Sequence, residues 1–128
     1  MKAYFKTDLE ATISGYFNGN KFIRTVTLLE DLVFYTKSGD SITVPKGFES
    51  DGASVPKVFW SAFPPFDTYL PAAVVHDILC VQGHSDKCLY TSREAADIFY
   101  EAMRACGVGI TKARMMYYAV RYFGPKWK

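Results

Sequence analysis

The chain has 128 residues, 49% of them hydrophobic and 22% charged, with a formal net charge of +2. That length buries roughly two-thirds of the unfolded surface around one core, and the composition is too apolar and too weakly charged for a disordered chain. No stretch reaches the roughly 20 apolar residues of a membrane span. Met1–Glu10 lacks the apolar core of a signal peptide, so nothing in the sequence points to secretion. Three cysteines without paired spacing read as reduced thiols. The basic residues are too dispersed for a nucleic-acid footprint.

The expected organisation is a single α+β domain over residues 1–128. A small antiparallel β-meander occupies about 10–45, a Pro-rich loop 46–71, and three helices 72–123. Thr12–Phe17 and Phe22–Leu28 flank Asn18-Gly19-Asn20, and Asp31–Thr36 and Ser41–Val44 flank Lys37-Ser38-Gly39-Asp40, as two hairpins would. Pro45 and Gly47 are expected to end the sheet. Within the loop, only Val58–Phe63, after Pro56, has the makings of a helical turn. Pro71 fits the first turn of a helix over Ala72–Val81, closed by Gly83. Thr91 or Ser92 caps Arg93–Ala105, with Glu94 adding first-turn charge, although Ser92 and Ala95 do not complete a capping box. Gly107 and Gly109 stop that helix. Thr111 caps Lys112–Phe123, which Gly124-Pro125 ends.

His76-Asp77, inside the apolar run Ala72–Cys80, is the most informative dipeptide. Adjacent helical positions differ by about 100°, so at least one of the two must face a partner or a pocket. Asp97, among Ala95, Ala96, Ile98 and Phe99, is a second carboxylate expected to face inward. From an antiparallel helix it would accept a hydrogen bond from His76, leaving the other ring nitrogen as a base. Glu49, Ser50, Asp51 and Ser54 concentrate oxygen atoms before Pro56. With Asp77 they offer ligands for a hard cation, Ca²⁺ or Mg²⁺, although Asp51-Gly52 also reads as a plain tight turn. His76, Cys80, His84 and Cys88 recur every four residues. On one helix such a stripe drifts by about 40° per step and cannot close on one zinc ion, so Cys80 is expected to be a small buried apolar residue. The last helix, with Met115, Met116, Tyr117, Tyr118, Val120, Tyr122 and Phe123, is apolar nearly all round. It is therefore deeply packed, or it meets another chain through residues such as Tyr118 and Tyr122.

The blocks Ile42–Pro56, Ala72–Asp77 and Arg93–Asp97 together resemble domain-of-unknown-function family 1353, typical of tailed bacteriophages and prophages. The similarity runs from about Asp31 to Gly124. Ser50 stands where that family often has Thr, and Cys80 lies near a position where an aromatic is common. The resemblance implies a phage setting and phage or virion partners, but no reaction. A likeness of pattern alone links His76, Asp77 and Asp97 to phospholipase A2 enzymes. There the histidine activates water, the next aspartate binds calcium, and an aspartate on an antiparallel helix orients the histidine. The Gly-rich calcium loop and the disulfide framework of those enzymes are missing here.

Two readings stay open. In one, His76 and Asp97 are catalytic, Asp77 and Asp51 hold a divalent cation, and Gly52 and Ser54 support the loop of a hydrolase acting on an ester, phosphodiester or amide. In the other, the chain is a non-enzymatic tail or neck component, or an accessory protein that binds its partner through Tyr118 and Tyr122. The His–Asp–Asp set is then a polar network fixing the helix pair.

Overall fold

The computed structural model describes residues 2–19, 21–50, 66–83 and 90–123. Six strands precede three helices: β1 (Tyr4–Phe5), β2 (Ala11–Asn18), β3 (Lys21–Leu28), β4 (Leu32–Tyr35), β5 (Ser41–Val44), β6 (Glu49–Ser50), α1 (Phe66–Gly83), α2 (Ser92–Ala105) and α3 (Ile110–Phe123). The strands gather in the first half and the helices in the second, an α+β arrangement. No helix among the described residues is long and apolar enough to cross a membrane.

The strands form two antiparallel sheets, ordered β1-β4-β5 and β2-β3-β6, rather than one meander in which each strand pairs with the next. β4 is engaged by β1 instead of β3. Tyr4 stacks on Tyr35 at 5.1 Å, and Phe5 meets Phe34 at 4.7 Å. The Thr7 hydroxyl accepts the Val33 N–H at 3.1 Å, which extends that seam. Nor does pairing end at Pro45 and Gly47, because β6 returns to β3 with Val26 opposite Ser50. The Leu28 N–H donates to the Phe48 carbonyl at 3.0 Å, and the Leu28 carbonyl accepts from the Gly47 N–H at 2.9 Å. These pairings join distant segments, so local turn chemistry cannot announce them. The turn before β5 does follow local chemistry: Gly39 has φ +98°, a conformation that side chains disfavour.

Alternation with period two sends Val26 and Leu28 of β3, Leu32 and Phe34 of β4, and Ile42 and Val44 of β5 into the core. α1 packs against β5 and β6 and against α2, which explains why it is apolar on nearly every side. It is already helical at Phe66, with Pro71 inside it rather than at its start. An interior proline costs about 3 kcal/mol. Burial of Tyr69 and Leu70 in the preceding turn offsets that cost.

α2 starts on a full capping box built from Thr91 and Glu94. The Thr91 hydroxyl accepts the Glu94 N–H at 3.1 Å, and Glu94 Oε1 accepts the Thr91 N–H at 3.0 Å. It ends on Gly107, with φ +91°, where Val108 N–H bonds to Met103 C=O and Gly107 N–H to Arg104 C=O. α3 packs on α2 and buries a single stripe, Ala113, Met116, Ala119 and Val120. Two bonds tie the β4–β5 turn to the helical half. The Lys37 N–H donates to Glu101 Oε1 at 2.6 Å, and the Tyr90 hydroxyl donates to Asp40 Oδ2 at 3.2 Å.

Candidate functional site

His76 lies on the core side of α1, 1% exposed, with its ring 5.2 Å from that of Phe99 on α2. One turn on, Cys80 places Sγ 3.5 Å from Nδ1, within the reach of a weak sulfur hydrogen bond. Cys80 is half-buried, so it is less enclosed than a small core residue would be. Burial pushes the His76 pKa down to about 4, since a charged imidazolium would lose its hydration there. The ring is therefore neutral at pH 7.

Asp77, one position round the helix, is half-buried and accepts a hydrogen bond from the buried Ser50 hydroxyl of β6. The structure thus brings Ser50 and Asp77 together, joining the strand half to the His-Asp helix. Asp51, Gly52 and Ser54, the Val58–Phe63 segment, and His84 and Cys88 lie outside the described residues. Among the described residues, no group of three or more His, Cys, Asp or Glu side chains is placed to hold a metal ion. Asp77 with Ser50 does not make a metal centre by itself.

Asp97 departs from expectation. Its carboxylate is exposed on α2 and accepts the Tyr117 hydroxyl of α3 at 2.7 Å, instead of a nitrogen of His76. The reason is angular. α2 buries Ala95, Ala96, Ile98, Phe99, Ala102 and Met103, and Asp97 stands about 200° from Phe99, the residue that meets His76. Its apolar neighbours in sequence therefore surround it in the chain but not in space.

Around Asp97 a second constellation forms that the sequence reading only partly contains. Arg121 Nη1 donates to the Tyr117 hydroxyl at 3.2 Å, and its guanidinium sits 5.3 Å from the Tyr122 ring centroid. Burial and the Asp97 carboxylate both raise the Tyr117 pKa, while Arg121 opposes them. Tyr117 meets Tyr118 edge-on at 5.2 Å, and Tyr118 stacks on Tyr122 at 6.1 Å with planes 9° apart. Tyr118 and Tyr122 remain 52% and 55% exposed. An open groove of about 480 Å³ runs beside them, edged by Asp97 and Glu101, by Lys37 and Arg114, and by Tyr100 and Tyr118. Tyr117 and Arg121 stand at i, i+4 on α3, a spacing that could have signalled the pair, but the seating of the Tyr117 hydroxyl on Asp97 depends on how α2 and α3 are juxtaposed.

A family model described as "Protein of unknown function (DUF1353)" matches residues 26–120. The chain is 40% identical over 102 residues to the uncharacterized protein y4jT of Sinorhizobium fredii (strain NBRC 101917 / NGR234), covering 78% of this chain and 29% of that protein. It is 34% identical over 102 residues to the uncharacterized protein y4iH of the same strain, covering 78% of this chain and 41% of that protein. The chain thus spans less than half the length of these relatives. No solved structure matches it.

Proposed function

Since the chain belongs to the DUF1353 family, whose description names no reaction, we propose from its surface that it is a non-enzymatic accessory module. It docks a partner protein on the α2–α3 face, and phage or virion proteins are the partner class that the sequence resemblance implies. The observation that carries this reading is the exposed, stacked Tyr118–Tyr122 pair, beside a groove edged by charges of both signs. Rigid tyrosines offer large contact area at small conformational cost, and a mixed-charge rim sets register. The enclosed His76 fits the same reading. As a neutral ring against Phe99 it fixes the α1–α2 packing.

In its native host, the tagged chain is expected to retain a partner that the Tyr118→Glu/Tyr122→Glu variant does not, with the variant's helicity unchanged by circular dichroism. Retention of the same proteins by both would overturn the reading.

One observation favours a second reading, the metal-assisted hydrolase. The Ser50–Asp77 bond holds the His-Asp helix against the strand that leads directly into Asp51. Calorimetric titration with Ca²⁺, Mg²⁺, Mn²⁺ and Zn²⁺ tests it. Binding that disappears in Asp77→Asn supports a cation at this helix, and heat-silent titrations with all four ions remove the route.

A further inference from the structure

Among the described residues, β2 is the outermost strand of its sheet, paired on one side with β3 along its whole length. The direction of its backbone groups follows from two bonds. The Glu10 carbonyl accepts the Leu29 N–H at 2.8 Å, while Leu28 bonds to Gly47 and Phe48 on the opposite side of β3. Backbone groups alternate along an antiparallel strand, so the even-numbered residues of β2 turn towards β3. Ala11, Ile13, Gly15 and Phe17 then direct N–H and C=O away from β3, to the side on which the sheet has no further strand among the described residues.

Proteins ordinarily guard such an edge with lysine, proline, a bulge or a very short strand. β2, Ala-Thr-Ile-Ser-Gly-Tyr-Phe-Asn, contains no charge and no proline, and its register with β3 is unbroken over eight residues. Thr12, Ser14 and Gly15 are exposed. Among the described residues, β6 pairs with β3 only at Val26 and Thr27.

We propose that this edge is a self-association site: β2 pairs antiparallel with β2 of a second copy, making a continuous sheet β6-β3-β2-β2-β3-β6 about a two-fold axis. A second copy is the occupant because the strand complements itself. An uncharged strand meets no repulsion from its own image, and a two-fold matches its outward groups to themselves. A register centred on Ser14 engages every outward residue, with Ala11 opposite Phe17 and Ile13 opposite Gly15. Shifting the centre to Gly15 leaves Ala11 out. In the Ser14 register the two Ser14 residues form a non-hydrogen-bonded pair with Cα atoms about 4.5 Å apart, within the span of a disulfide. This surface is distinct from the tyrosine face of α3 and does not rest on it.

Sedimentation velocity of the purified chain from about 1 to 100 μM, the range that reveals micromolar association, is expected to show conversion to twice the 14.4 kDa monomer mass. Gly15→Pro removes an outward N–H without touching a bond to β3, and Gly15 has no positive φ to conflict with proline. It is expected to stay monomeric over that range. Ser14→Cys is expected to give a 14–14 disulfide under mild oxidation, mapped by mass spectrometry, where Thr12→Cys gives none at 12. A wild-type chain monomeric throughout, equal dimerisation of Gly15→Pro, or no 14–14 linkage would each overturn the proposal.

Discussion

His76 has a pH signature that follows from its enclosure. Its folded pKa of about 4 lies below the ordinary 6.5, so between those values the unfolded chain binds the proton and the folded chain does not. The stability this group confers is complete above about pH 6.5 and is lost as pH falls towards 4. At pH 5 the loss amounts to about 2 kcal/mol. Urea midpoints measured at pH 7 and pH 5 are expected to show that drop in the wild type. His76→Leu, which cannot take up the proton, is expected to lack it, and an equal drop in both would place the sensitivity elsewhere. The cysteine at the end of α2 responds to burial in the opposite sense. Enclosure pushes the Cys106 thiol up to about 11, with the Ala72 backbone pulling the other way, so it stays protonated at neutral pH. At this scale the sequence was a good guide to burial and a poor one to direction. An apolar run around His76 does mean enclosure when the helix is covered on several sides. The same inference failed for Asp97, because α2 is covered along one stripe and the residue falls off it.

The helices show how far local chemistry specifies an element. Thr91 was legible as a cap, but pairing Ser92 with Ala95 hid the box; the correct spacing runs from Thr91 to Glu94. Removing the hydroxyl in Thr91→Ala is expected to cost about 1 kcal/mol. Glu94→Gln retains the side-chain acceptor and is expected to cost less than half as much. Chemical denaturation of the two variants checks the order, and a larger loss for Glu94→Gln would mean that charge at the helix N-terminus outweighs the box. The strand segments were readable from alternation and turns for the same local reason. Their partners were not: β1 with β4 and β6 with β3 are chosen by packing between remote segments, and two residues of β1 or β6 carry too little pattern to declare themselves. Pro71 misled for a related reason, since the buried side chains before it, Tyr69 and Leu70, decide where α1 runs.

At the scale of the whole molecule, the strand and helix halves are coupled by contacts that neither makes alone. α1 lies between β5 and β6 on one side and α2 on the other, and α2 reaches β1. The Ser50–Asp77 bond and the bonds from Glu101 and Tyr90 to the β4–β5 turn are the polar counterparts of that coupling. One of them makes the coupling observable. An amide in an exposed four-residue turn ordinarily trades its hydrogen with solvent at the rate of an unstructured peptide. Lys37 sits in such a turn, yet its N–H is held by a carboxylate sixty-four positions further along the chain. In deuterated buffer that one proton is therefore expected to exchange more slowly than in Glu101→Ala, where the acceptor is gone and the rate is peptide-like. The difference between the two rates reports that the Glu101 carboxylate, and with it α2, is seated on the β4–β5 turn, readable at a single resonance and without any denaturant.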